Sequence, residues 1–231
     1  MIQINFEAIV KDYADSLKKH AEIMLAASEI AATAPDDPRD EAIRQILVRA
    51  SELVRASRTL ALENNNVSIT ILARALLENL ILILWIVLKN SHVKELKDAG
   101  INELTRMTRI NLENGKLVVK NKITGIDETK EFLNSEQFKK IPKRKNILTY
   151  AEEADVIDLY NVFYRFLSLE THGHEVQKNN DNDTLSIENM QCVGALAMGV
   201  GHAGTKWLLH RQRIDNETLR KLLGLDSLNF L

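Results

Sequence analysis

The chain is poor in cysteine, proline, glycine and aromatic residues, carries no strong charge of either sign, and contains no long uninterrupted apolar run. Cys192 is the single cysteine, so an intrachain disulfide and a cysteine-rich metal site are both excluded, which suits a reducing compartment. Three prolines and nine glycines in 231 residues leave room for long unbroken elements. Aromatics at 5%, against plentiful Leu, Ile, Ala, Glu and Lys, favour helix over strand. A formal net charge of −2 gives no general attraction to nucleic acid or anionic membranes, so any such affinity has to come from a local patch. At 45% hydrophobic and 27% charged, the composition is that of a folded globular protein.

Val67 to Leu88 is long enough to span a bilayer, but Arg74, Glu78 and Asn79 interrupt it, and only Leu80–Leu88 is wholly apolar. A charged residue near the centre of a span costs about 2.5–3.5 kcal/mol on insertion scales. A buried central helix is the expected use of this segment. The opening residues, MIQINFEAIVKDYAD, show no basic leader followed by an apolar run. The expectation is a cytoplasmic protein without a membrane partner.

What is present is helical periodicity. Phe6, Ile9, Val10, Tyr13, Leu17, Met24 and Leu25 predict an amphipathic helix over 3–32, which Pro35-Asp36-Asp37-Pro38 ends. Ile43, Ile46, Leu47, Leu53, Val54 and Leu60 mark a second, closed by Asn64-Asn65-Asn66. A third, over 68–90 with Ser68 as its cap, is apolar nearly all round and belongs in the middle of a bundle. A fourth runs from His92 to about Met107. Asn114-Gly115, between Arg109–Leu112 and Lys116–Val119, then signals a small β-hairpin or an irregular insertion around residues 109–126. Residues 121–146 read as loop with one short helix. Helix resumes from Ile147 to His172, with a break near Ala154–Asp155 and a stop at Gly173. Lys178–Thr184 reads as loop, 186–212 as helix, and Asp215 or Asn216 caps a final helix ending near Gly224. The predicted architecture is all-α, one helical-bundle domain over 1–231.

Two clusters could carry chemistry. Arg74 and Glu78 share one face of the third helix, four residues apart. They either neutralise each other, or Arg74 enters a polar cleft with Glu78 orienting it. The order Arg-then-Glu is the weaker one for a helical pair, which tilts the reading toward partners on a neighbouring helix. The second cluster is Tyr164-Arg165-Phe166-Leu167-Ser168-Leu169-Glu170-Thr171-His172-Gly173-His174, in which Arg165, Ser168 and His172 fall on one helical face. Arginine can hold a phosphate through two parallel hydrogen bonds, and histidine can move a proton near neutral pH. Together they suit metal-free, in-line attack of an RNA 2′-hydroxyl on its own phosphate. The plainer alternative is an Arg–Glu pair and a histidine on the last helical carbonyls, where a cation suits the dipole.

Other features are weaker. Gly199-Val200-Gly201-His202-Ala203-Gly204 fits G-x-G-x-x-G but lies inside a helical pattern with no preceding strand, so small residues for close helix approach are the expectation there. His172, His174 and His202 with Glu78 could bind a metal, yet no Glu-x-x-His pair of the di-iron bundles occurs among them. No metal and no cofactor are expected. Lys139, Lys140, Lys143, Arg144 and Lys145 make five basic residues in seven: a solvated loop, or a patch that grips RNA backbone without reading sequence, since no aromatics interleave.

Arg165 and His172, with six residues between them on a bundle helix, resemble the Arg-x(4–6)-His signature of the HEPN superfamily. Arg74-Ala75-Leu76-Leu77-Glu78-Asn79 and Tyr160 to Gly173 together also resemble a group of uncharacterised bacterial helical proteins, in which an arginine–glutamate helix precedes a Tyr-Arg…Ser…His-Gly segment. Here Phe166 follows the arginine, where a polar residue is frequent in the superfamily. The resemblance implies an up-down bundle, usually a homodimer, with Arg165 holding the scissile phosphate of an RNA and His172 as acid or base. The implied setting is a bacterial toxin or phage-defence system. Arg74, Glu78, Ser168 and His174 would support the site. Relatives with degraded motifs imply the alternative, a non-catalytic helical module that binds a partner protein or a nucleotide.

Overall fold

The computed structural model describes residues 6–33, 36–63, 65–139, 141–142, 145–164, 167 and 182–223, with the backbone alone for residues 6–7, 137, 139 and 182–186. The chain groups into two compact units: residues 1–90 with 147–231, and residues 91–146. The described residues contain helices and no strand.

The first unit is built on α1 (Phe6–Ala32), α2 (Pro38–Leu62), α3 (Asn66–Ile86) and α9 (Asn182–His210). The buried residues of α1 include Ala14, Leu17, Ala21, Met24, Ser28 and Ala31, and those of α2 include Asp40, Ile43, Leu47, Ala50, Val54, Ser57 and Ala61. Both sets alternate steps of three and four, the repeat that keeps one narrow stripe facing a partner helix over many turns. Small residues recur along both stripes and let the two backbones come close. Short connections make α2 antiparallel to α1 and α3 antiparallel to α2, and Arg58 Nε donates to the Ala14 carbonyl at 3.1 Å.

Helix α9 closes the bundle by running parallel to α1. A Cβ on Gly194 would lie 4.0 Å from Leu17, and one on Gly201 would lie 3.6 Å from Met24. On its other sides, a Cβ on Gly199 would come within 3.0 Å of Leu80, and one on Gly204 within 2.7 Å of Leu47. The glycine run thus serves close helix packing, as its setting in a helical pattern predicts. Asp37 caps α2 by accepting from Arg39 N at 2.9 Å, with Pro38 in the first turn. Asn65, one of the three asparagines read as a terminator, caps α3; its side chain accepts from the Ser68 N–H at 3.2 Å. Ser68 therefore supplies the donor rather than the cap.

Helix α3 is the one described helix long and apolar enough to cross a membrane, and 61% of its most apolar window is buried within the protein. Besides α2 and α9, it packs against α7 (Ile147–Glu153) and the segment that follows. There the chain turns at Ala154–Asp155, with Asp155 in the left-handed region at φ 57, and continues as α8 (Ile157–Leu159) into a π-helical turn, Tyr160–Tyr164. Trp85 meets Tyr150 with ring centroids 4.6 Å apart and donates to Glu153 Oε2 at 2.7 Å. Tyr164 lies against Arg74, so the 147–164 segment runs antiparallel to α3. Asp215 caps α10 (Asn216–Leu222), accepting from Thr218 N at 2.7 Å.

The second unit opens with α4 (Ser91–Glu113), which is longer than its sequence pattern suggests. No β-hairpin forms around Asn114-Gly115. Gly115, at φ 65, instead ends α4: its N–H bonds the Leu112 carbonyl at 3.1 Å and the Lys116 N–H bonds that of Asn111 at 2.9 Å. A left-handed residue serves a hairpin turn and a helix C-terminus equally. Residues 109–113 settle it for helix, because Leu112 is buried and Arg109 Nε bonds Glu113 Oε1 at 2.7 Å, one turn on. The irregular stretch follows, with one isolated antiparallel bridge, Lys120–Asp127, closed by a turn through Gly125 at φ 72. Two short helices, α5 (Thr129–Leu133) and α6 (Glu136–Lys139), complete the unit.

Candidate functional site

The sequence places its chemistry in two segments far apart in the chain, and α3 and the π-helical turn bring Arg74 of the first to Tyr164 at the start of the second. Arg74 lies 27% exposed on the face of α3 opposed to Tyr160–Tyr164. Its Cζ stands 4.3 Å from the centroid of the Tyr164 ring, and its Nη2 donates to the Tyr164 hydroxyl. Its Nε is 3.7 Å from Glu78 Oε1, so the i,i+4 pair forms as well. Tyr164 in turn stacks on Tyr160, centroids 4.4 Å apart and rings 19° from parallel. The guanidinium is thereby held by a carboxylate on its own helix and by an aromatic column on the next segment. A π-helical turn carries one residue more per hydrogen-bonded ring than an α-turn and is found often at functional sites. Here it ends one residue before Arg165.

Arg165, Ser168, His172 and His174 lie outside the described residues, as does the helix stop at Gly173. Leu167 is described, and it is fully buried. Tyr160 and Tyr164 stand in the segment that the sequence singles out but have no role assigned there; their i,i+4 spacing just before an arginine is the signal for one. Asn79, next to Glu78, is buried, and its Nδ2 has no hydrogen-bond partner among the described residues.

The basic run is partly described. Lys140, Lys143 and Arg144 lie outside the described residues, and Lys139 is described by its backbone at the end of α6. Its frame is firm. Arg109 donates to the Phe138 carbonyl at 2.9 Å, Arg106 donates to the Pro142 carbonyl at 3.1 Å, and Lys145 pairs with Glu95. Three groups of α4 thus hold Phe138, Pro142 and Lys145 against that helix, and Lys145 is already neutralised there. Among the described residues no three His, Cys, Asp or Glu side chains gather closely enough to hold a metal.

A further charged cluster lies where α2 begins and α9 ends. Asp40, 1% exposed, accepts from Trp207 Nε1 at 2.8 Å and lies 3.5 Å from Arg211 and 3.9 Å from Arg213. Both arginines also pair with Asp36, and Arg39 binds Asp37 at 2.7 Å while stacking 4.5 Å over Trp207. The Arg39 hydrogen bond, with its backbone N–H and charge, outweighs burial and holds the Asp37 carboxyl below the ordinary range. The mixed charges compensate one another, which reads as a fastening of the bundle end. Its sequence signal is Asp40 standing in an otherwise apolar register.

A family model matches residues 40–184, more than half of the chain, and its description is a family of unknown function, DUF5677. The chain belongs to the DUF5677 family. The matched span takes in α2, α3, the inserted unit and the whole of the segment from α7 onward up to the start of α9, so both chemistry-bearing segments are DUF5677 sequence. No curated protein and no solved structure matches the chain.

Proposed function

We propose that this DUF5677 protein is a HEPN-like, metal-independent endoribonuclease of the cytoplasm, working in a bacterial toxin or phage-defence setting. The observation that supports the reading is the clasp of Arg74 on Tyr164, which joins the arginine–glutamate helix to the segment leading into Arg165 and His172. In this reading Arg165 holds the scissile phosphate, and one histidine-assisted proton transfer leads to each half of the reaction. The 2′-oxygen forms a bond to phosphorus as His172 takes its proton; the bond from phosphorus to the 5′-oxygen breaks as that oxygen gains a proton from His172 of the partner subunit, in the homodimer that the resemblance implies. The products are a 2′,3′-cyclic phosphate and a 5′-hydroxyl. Arg74 and Glu78 position the segment, Ser168 and His174 support it, and Lys139, Lys140, Lys143 and Arg144 are the basic residues that this reading assigns to RNA phosphates.

The test is cleavage of single-stranded RNA in excess chelator by the unaltered chain and by Arg165→Ala and His172→Ala. Chelator-resistant cleavage leaving cyclic phosphate ends, lost by about 100-fold or more in both variants, is the expected outcome. Well-folded protein that leaves RNA intact favours a second reading, a non-catalytic module for a partner protein. That reading draws on the large apolar side chains left exposed between Ile101 and Ile126.

A further inference from the structure

Tyr164 is the last described residue before Arg165, and its phenol is fixed from two directions. The ring stacks on Tyr160, with centroids 4.4 Å apart and planes 19° from parallel. The Arg74 guanidinium stands 4.3 Å from the ring centroid and donates through Nη2 to the hydroxyl oxygen. Glu78 Oε1, 3.7 Å from Arg74 Nε, faces the same guanidinium from its own helix. Solvent still reaches this corner, because the Arg74 side chain is 27% exposed and Tyr164 is only partly buried.

The direction of the Arg74 hydrogen bond decides what the phenol can still do. A guanidinium has donors and no acceptor, so the hydroxyl oxygen accepts and its own proton is left over. Among the described residues no group takes that proton. A hydroxyl that accepts from a cation is polarised and becomes a stronger donor to an anion. A fixed, polarised donor that solvent can reach suits the charge that builds on an oxyanion, since it has no reorganisation to undergo as the charge grows.

Position along the chain selects the oxyanion. Neighbouring Cα atoms lie about 3.8 Å apart across a trans peptide, so the phenol starts beside the arginine assigned to the scissile phosphate. Ser168 is four residues on from Tyr164 and three on from Arg165, a spacing that sets the three on adjoining faces of the helix the sequence predicts. We propose that the Tyr164 hydroxyl is a further catalytic group, which donates a hydrogen bond to a non-bridging oxygen of the phosphate that Arg165 holds; this assignment rests on the ribonuclease reading. Negative charge gathers on the non-bridging oxygens as the 2′-oxygen adds to phosphorus. The phenol stabilises that charge and keeps its own proton, and the proton transfers stay with histidine. Arg74 acts through Tyr164, as a positioning residue.

Tyr164→Phe removes the hydroxyl and keeps the ring that stacks on Tyr160 and meets Arg74, so far-UV circular dichroism should stay unchanged. Cleavage of single-stranded RNA is followed in excess chelator, with the scissile phosphate unmodified or carrying sulfur in place of one or the other non-bridging oxygen. The expected result is a kcat lower by about tenfold or more in Tyr164→Phe, with KM nearly unchanged. One sulfur diastereomer should slow the unaltered chain markedly more than it slows Tyr164→Phe, because sulfur accepts the hydrogen bond poorly and the variant has none to lose. A lower kcat with an unchanged response to sulfur means that Tyr164 only positions its neighbours, and overturns the assignment. So does a Tyr164→Phe chain that cleaves at the unaltered rate; both of these outcomes leave the ribonuclease reading standing. An unaltered chain that cleaves no RNA overturns that reading and this assignment together.

Discussion

Arg74 carries two contacts of different kinds, and each has its own energy. A guanidinium over a tyrosine face contributes about 0.5–1 kcal/mol at a partly exposed site. The exposed pair with Glu78, at 3.7 Å, contributes less than about 0.5 kcal/mol. The Tyr164 contact should therefore dominate. A double-mutant cycle of Arg74→Ala and Tyr164→Leu by urea denaturation is expected to give a coupling near 1 kcal/mol. The same cycle with Glu78→Ala should give about half that or less. A larger coupling to Glu78 would assign Arg74 to its own helix and remove its link to the 160–174 segment.

At the scale of elements, α9 and its neighbours make an internal comparison. Gly204 faces Leu47, which has no exposed surface and cannot swing away, and a Cβ there would stand 2.7 Å from Leu47 Cδ2. Gly204→Ala is expected to destabilise by about 1–3 kcal/mol through overpacking, despite roughly 1 kcal/mol of better helix propensity. Gly194 meets Leu17 at an ordinary 4.0 Å, so Gly194→Ala should keep the propensity gain and stabilise by up to about 1 kcal/mol. Thermal denaturation of the two variants separates the cases. Equal effects of one sign would mean that helix propensity, not the approach to α2, governs this face. Much of this level was legible beforehand: helices 1 to 3, the break at Asp155, the cap at Asp215 and the packing role of the glycines all follow local periodicity and punctuation. The end of α4 was not, because Asn-Gly meets the φ requirement of two different structures and only tertiary contacts choose between them.

For the whole molecule, the capped start of α2 sets an acid limit. Asp37 is held below its ordinary range by the Arg39 hydrogen bond, against the opposing effect of burial. A depressed carboxyl contributes stability that is present above its unfolded value, about 3.9, and is lost as pH falls through the lower folded value. The melting temperature is thus expected to fall steeply below about pH 4, and Asp37→Asn should melt lower at neutral pH with a shallower acid limb. Melting followed by circular dichroism from neutral to acid pH checks this, and an unchanged acid limb in Asp37→Asn would move the effect to other carboxylates. The two candidate sites differ in how far the chain announces them. Arg165, His172 and the basic run are conspicuous by residue type, whereas the Arg74–Tyr164 clasp joins residues 90 apart and the Asp40–Trp207 bond residues 167 apart.

By itself the sequence determined that this protein is helical, where most helices start and stop, which helix is central and which residue types can hold phosphate or move a proton. Those properties depend on φ/ψ preference and on spacing along a few turns, and so they are local. Only the tertiary structure decided that Arg74 meets Tyr164, that Asn114-Gly115 ends a helix, that α4's arginines bond the Phe138 and Pro142 carbonyls and that eight large apolar side chains of one unit are exposed. Each of those depends on which surfaces the packed helices bring within a few ångströms, and periodicity along a chain carries no record of that.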